Sequence, residues 1–324
     1  MPTYTGISSE AFRHPLDRQA EQALRSVPGF DLAARKFMEF IYERPRNVFL
    51  MGNSIEVGPR QYANLYQLFR ECVRDLDIFP EPVLFVSQDP SANAFAMGQE
   101  KPCLVLNTGL MDLLTEAELR SVLAHELGHI KCGHTTLKQM GIWAINLIFG
   151  LAGMTFGLTS LISTGLIMAF YEWLRKAELS ADRAALLVMD DLNPVLYTLM
   201  KMAGGSARHG HELSLDEFIR QSQRYQELDQ DGLNQVYKFL LYNNISSQVF
   251  ISHPFTVERV TYLQDWANSE DYRQIRAGNY RRSEAEGAVN VPVDETPATG
   301  GEVDTLRRQI EELQQQIDRI RRNQ

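Results

Sequence analysis

The spacing of apolar residues divides the chain into regions of different texture. Residues 16–45 carry Leu24, Val27, Leu32, Phe37, Phe40 and Ile41 at helical intervals, with a break at Val27-Pro28-Gly29-Phe30. A second helix is predicted over 59–78, opening after Gly58-Pro59. Short β-prone runs follow at 82–87, 93–98 and 102–108, separated by turn residues, and the last two have the pattern of a hairpin. Thr115 and Glu118 then spell a capping box for a helix that runs through 122–134. Helical patterning resumes at 172–190, 214–245 and 256–276.

Two further stretches stand apart. Residues 283–301 are rich in Gly, Pro, Ala, Glu and Thr and read as a linker. Beyond them Leu306, Ile310, Leu313, Ile317 and Ile320 alternate spacings of four and three, a short heptad seam suited to an oligomer or a partner helix. The alternative is an amphipathic helix docked on its own domain. The expected organisation is an N-terminal helical segment (1–58), a main domain (59–282), a linker (283–301) and a coiled-coil-like helix (302–324). The class is α+β, mainly α-helical, with a small β-sheet and a C-terminal helical tail.

Composition narrows the function. The chain has 324 residues, 44% hydrophobic and 23% charged, with a net charge of −9. That acidic balance argues against nucleic acid as a partner, since phosphate binding needs clustered Lys and Arg. Cys72, Cys103 and Cys132 are too few and too scattered for a disulfide framework. The first residues lack a basic region followed by an apolar run. The expected address is therefore cytoplasmic, or the cytoplasmic face of a membrane.

The chemistry concentrates in Val122–His134, VLAHELGHIKCGH. On a helix, His125 and His129 share one face about 6 Å apart along the axis, close enough to converge on one tetrahedral metal. Glu126 stands about 100° around from His125, within reach of a water at that metal but not a ligand itself. Zinc lowers the pKa of such a water to about 7, and the glutamate accepts its proton as it attacks a carbonyl. The bland reading is an ordinary helix with a chance HExxH. Against it, burying His, Glu and His in an apolar helix is costly unless something pairs them.

Such a site needs a third protein ligand. The pattern HExxHxxGxxH fails on register, because Cys132 and Thr135 stand where Gly and His belong, while Gly133 and His134 miss by one. Cys132 shares the face of His125 but lies a turn or more beyond the pair. Glu178 and Asp182, in RKAELSADRAAL, are again four apart. Glu178 can ligate the metal, and Asp182 can accept the free ring N–H of a ligand histidine. The competing reading is two solvent-facing acids, which the apolar AALLVM that follows disfavours.

HELGH followed by an ExxxD helix resembles the gluzincin metallopeptidases of the HtpX and CAAX-prenyl-protease family. NAFAMG at 93–98, LVLNTGLMDLLTEAELRSVLAHELGH and SHPFTVERV at 252–260 resemble other elements of that family. The resemblance covers roughly residues 60–270. It implies a gluzincin (zincin-like) core, one Zn2+ per chain on His125, His129 and Glu178, Glu126 as general base, and Asp182 outside the ligands. It also implies His253 near the metal, as an oxyanion stabiliser or gate, and Arg259 supporting that region. His134 falls at a position often filled in the family, with a structural role. A protein or peptide substrate would add as a strand to the sheet edge at Asn93, Ala94 and Phe95, which favours extended or unfolded segments and a role in protein quality control.

Residues 139–171 carry no charged side chain. His129 and Glu178 must meet on one side of any membrane, so a single crossing is excluded. Two crossings need about 40 residues plus a turn, more than this stretch offers. The options left are a helical hairpin buried in protein, a hairpin dipping part-way into one leaflet, or two tilted, thin crossings. A hairpin exposed enough for peripheral contact with a membrane or a hydrophobic partner is the expectation. Two rivals to a zinc endopeptidase remain: a catalytically silent, chaperone-like module, and a membrane-associated assembly protein with a structural metal. A base beside the ligands and an open fourth position both favour catalysis over them.

Overall fold

The computed structural model describes residues 3–25, 44–98, 101–139, 159–244, 249–250 and 253–283. The chain opens with α1 (Pro15–Arg25), α2 (Arg44–Asn53), the two-residue strand β1 (Ile55–Glu56) and α3 (Ala63–Asp75). Strands β2 (Val83–Ser87), β3 (Ala94–Met97) and β4 (Cys103–Asn107) follow, then α4 (Thr108–Leu113) and α5 (Glu116–Lys131). The long α6 (Thr159–Met189) leads to α7 (Leu192–Gly204), α8 (Leu215–Asp229) and α9 (Gly232–Tyr242). Two short strands, β5 (Asn243–Asn244) and β6 (Val249–Phe250), precede α10 (Thr256–Ala267) and α11 (Glu270–Arg276). The protein is α+β and mostly helical.

The sheet runs in the order β1-β2-β4-β3. Strands β2 and β4 are parallel, with Val83 opposite Cys103 and Ser87 opposite Asn107. The expected hairpin pairs β3 antiparallel to β4, Ala94 opposite Leu106 and Met97 opposite Cys103. All five residues of β4 are buried, as befits a strand covered on both faces. One face sends Leu84, Val86, Ala96, Leu104 and Leu106 into the main core. The other packs Phe85, Met97, Cys103 and Val105 with Leu50 of α2. Strand β3 lies at the edge, beside α5.

Helix α5 begins as its sequence dictates. The Thr115 side chain accepts from the Glu118 backbone N–H, and Glu118 accepts from the Thr115 N–H at 2.7 Å. Twelve of its 16 residues are buried. Its buried polar groups are met from several sides: Arg120 donates to Glu71 and Asp75, Lys131 donates to the Asp77 carbonyl at 2.6 Å, and Glu118 pairs with Lys201 at 2.7 Å. Paired in this way, they escape the cost of buried unsatisfied charge.

Helix α5 lies against α6 at unusually close range. A Cβ added to Gly128 would come within 2.6 Å of the Ala184 Cβ and 3.1 Å of the Ala181 Cα. Only a residue without a side chain permits that approach. Helix α7 is absent from the periodicity reading. Asp191 caps it by accepting from the Asn193 N–H, and Val195, Leu196, Leu199 and Met200 bury one side.

The first residues share the main core: Tyr4, Ile7 and Phe12 pack in the same cluster as Leu187 and Val188. Ile7 bridges to Arg282, Ser8 donates its N–H to the Arg281 carbonyl, and Ser283 donates to that of Gly6. Residues 159–171 of the uncharged stretch form the start of α6. Residues 140–158, the linker from 284 onward and the heptad tail lie outside the described residues. Among the described residues no helix is long and apolar enough to cross a membrane.

Candidate metal centre

The crossing of α5 on α6 brings His125, His129 and Glu178 together from two helices. His125 Nε2 is 3.3 Å from Glu178 Oε2, and His129 Nε2 is 3.3 Å from Glu178 Oε1. Each residue offers a ligand atom, and the three lie within 4.8 Å of one another. Two imidazole nitrogens and a carboxylate oxygen suit Zn2+ and leave its fourth position open. Among the described residues this is the one cluster of three or more such groups able to hold a metal ion. Cys132 is fully buried in apolar surroundings and is not part of it.

Charge around the centre is strongly organised. Burial alone would raise the Glu178 carboxyl, but His253, His125 and His129 hold it well below the ordinary carboxylate range. Asp182 accepts from His125 Nδ1 at 3.0 Å. The guanidinium of Arg259, on α10, grips the same carboxylate through two bonds, Nε to Oδ2 at 2.8 Å and Nη2 to Oδ1 at 2.5 Å. Burial opposes ionisation of Asp182 too, but Arg259 and His125 together lower its pKa. Burial also works against a proton on His125, yet Asp182 and Glu178 raise its pKa to about 9. A metal ion arriving at His125 therefore competes with a proton.

A cleft opens over these groups, lined among others by Asn93, Ala94, His125, Glu126, Glu178 and His253. Glu126 is buried and next to a ligand candidate but outside the metal cluster. His253 is half exposed, with Nε2 3.6 Å from Glu178 Oε1. Phe95 packs elsewhere: alternation along β3 turns it onto the face opposite Ala94, against the Leu50 and Phe85 cluster. Asn93, just before β3, and Ala94 line the cleft, and Phe95 is not among its lining residues.

The second histidine is held by residues that sequence reasoning did not join. His129 Nδ1 is 2.9 Å from His134 Nδ1, and His134 Nε2 is 2.9 Å from Asp17 Oδ2 on α1. Ser180 donates to the same Asp17 oxygen at 2.7 Å, and Arg13 donates to both carboxylate oxygens. Arg13 also pairs with Glu21. Arg13, just before α1, and Asp17 and Glu21 on it are spaced four apart, as for one helical face. Nothing local shows that the row is buried, because its partners lie more than a hundred residues away.

Comparison with known proteins matches this arrangement to a family. The family model of peptidase family M48 matches residues 59–267, a span that contains the two ligand helices and α10. The chloroplastic plastoglobule-localized metallopeptidase 48 of Arabidopsis thaliana is 35% identical over 286 residues, covering 86% of this chain and 79% of that protein. A protease HtpX homolog of Dictyoglomus turgidum is 26% identical over 250 residues, 69% of this chain and 77% of its own length. The protease HtpX homolog 1 of Sulfolobus acidocaldarius is 28% identical over 249 residues, 66% and 80% respectively. No solved structure matches the chain. With a family model covering most of its length and protease relatives spanning most of theirs, this chain belongs to peptidase family M48 and is a metallopeptidase.

Proposed function

We propose that the protein is a zinc-dependent endopeptidase that cleaves extended or unfolded protein segments, with His125, His129 and Glu178 as ligands and Glu126 as general base. The observation that carries this reading is the convergence of two imidazoles and one carboxylate beneath a cleft whose wall includes a further glutamate. When bound, zinc supplies a Lewis acid that polarises a peptide carbonyl and acidifies a water beside it. Glu126 takes the proton from that water and passes it to the departing amine. His253, which also lines the cleft, donates toward the carbonyl oxygen as it gains charge. Asp182 fixes His125 with its Nδ1–H outward, leaving Nε2 free as a ligand, and Arg259 fixes Asp182.

The edge strand β3 supports the choice of substrate. Its outer side offers backbone groups beside the cleft, so a peptide in extended conformation can pair there irrespective of its sequence. Removal of misfolded chains follows as the biological role. The test is Glu126→Gln: zinc content should be unchanged, while cleavage of casein falls by about 10²- to 10⁴-fold. Equal activity of the two proteins would remove Glu126 from the mechanism, and a wild type free of stoichiometric zinc would remove the metal assignment.

A second reading concerns place. Helix α9 exposes Leu233, Val236, Tyr237, Leu240 and Leu241, and Tyr242 at its end sits 4.5 Å beneath the Arg175 guanidinium. That puts the apolar helix next to the region where the uncharged stretch ends at Tyr171. We read the two together as a surface for peripheral contact with lipid. Flotation with phosphatidylcholine vesicles tests it: the protein should float with them, and a Leu233→Ser, Leu240→Ser variant should stay in the soluble fraction.

A further inference from the structure

The two histidines of the centre are secured in parallel ways, but at different range. His125 meets a carboxylate directly, and that carboxylate is clamped by Arg259. His129 meets a second histidine, which meets a carboxylate clamped by Arg13. The first chain lies wholly on α5, α6 and α10. The second leaves the segment matched to the peptidase family, residues 59–267, and ends on α1.

The direction of the second chain follows from the chemistry of its atoms. His129 faces Glu178 through Nε2, so as a metal ligand it must keep the lone pair there and carry its proton on Nδ1. That N–H can only donate, which makes His134 Nδ1 the acceptor and puts the His134 proton on Nε2. His134 Nε2–H then donates to Asp17. Every atom has one role, and the chain closes in one sense only. Asp17 is completely buried and His134 almost so, and Trp173 packs edge-on to the His134 ring at 5.8 Å. The anchor is equally complete: besides His134, Asp17 receives Ser180 and Arg13, and Ser180 in turn accepts the His14 backbone N–H at 2.9 Å. Burial would push the Asp17 carboxyl up, but His134 and Arg13 keep it ionised, which preserves the acceptor.

We propose that His134 and Asp17 are positioning residues for the metal, fixing the tautomer and orientation of His129, and that α1 is thereby an integral part of the centre. This rests on the assignment of His129 as a ligand. A carboxylate behind a ligand histidine raises its basicity and holds its ring, and losing such a partner commonly lowers metal affinity about 10- to 100-fold.

The experiment measures zinc affinity of the full chain by chelator competition for wild type, Asp17→Asn, His134→Phe and His134→Asn, together with thermal unfolding of each zinc-free protein. Asp17→Asn and His134→Phe should bind zinc about 10- to 100-fold more weakly. His134→Asn should recover much of the loss, because its side-chain oxygen can replace Nδ1 as the acceptor for His129. The visible spectrum of the Co2+-loaded protein should change in His134→Phe and stay close to wild type in His134→Asn. If His134→Phe lowers the unfolding temperature but leaves zinc affinity within twofold of wild type, the pair is merely structural and the proposal is overturned. Should His134→Phe not fold, the same criterion applied to Asp17→Asn decides. Absence of zinc from the wild type would instead overturn the ligand assignment itself.

Discussion

Arg259 shows how much one side chain can hold in place at this centre. Its planar fork grips both oxygens of Asp182 and stands 3.5 Å from Glu178, inside the protein. Lysine can present only a point charge there, so Arg259→Lys should weaken zinc binding by roughly tenfold while leaving the fold intact. Arg259→Ala leaves Asp182 buried without its counter-charge and should cost about 3–5 kcal/mol, read from urea unfolding. If Arg259→Ala unfolds at the wild-type midpoint, the ion pair is not desolvated in solution. Proton competition belongs to the same scale. Because Asp182 and Glu178 raise His125 to about 9, zinc should bind more weakly as pH falls from 9 to 6, measured by competition at fixed chelator strength.

The residues of the centre were legible to different degrees. His125, Glu126 and His129 lie on one helix, so periodicity alone groups them. Glu178 and Asp182 could be paired with them because their own four-residue spacing repeats the logic. Asp17 could not: its row on α1 looks like any solvated face, and only the tertiary contact to Ser180 and His134 shows otherwise.

Among the elements, the α5–α6 crossing sets the distance between ligands. Gly128 sits between the two histidines and faces Ala181 and Ala184, one and nearly two turns beyond Glu178. Gly128→Ala gains helix propensity but overpacks that contact, so it should destabilise by about 1–3 kcal/mol and lower zinc affinity together. A stabilised Gly128→Ala with wild-type zinc affinity would mean that the helices separate without cost. The strand segments and the capping box were readable because turn residues and Thr115 punctuate them. Helix α7 was not, since its Asp191 cap lies directly after α6 and the break between the two is only a few residues long. Its apolar face became visible once α5 and α10 were packed against it.

At the scale of the molecule, acid sensitivity should be set in part far from the cleft. His14 precedes α1, where its Nδ1 accepts the Leu16 N–H, and burial with Arg183 nearby lowers its pKa to about 4. The unfolded chain takes up a proton near pH 6.5, and the folded chain does not until about 4. The unfolded state therefore binds more protons in that window, and stability should fall as pH drops through it, by at most about 3 kcal/mol. His14→Asn keeps a capping acceptor without a titrating ring, so its unfolding temperature should be flatter between pH 6.5 and 4. An identical pH profile for the two proteins would assign the effect elsewhere.

One consequence of the paired ends reaches beyond the centre. Residues 6–8 and 281–283 are joined by backbone hydrogen bonds, and both Tyr280 and Arg282 donate to the Thr5 carbonyl. The two ends of the described core are therefore within reach of each other. Linking residue 283 to residue 3 and reopening the ring in the exposed 207–209 turn should give a circular permutant with the same core and the same metal affinity.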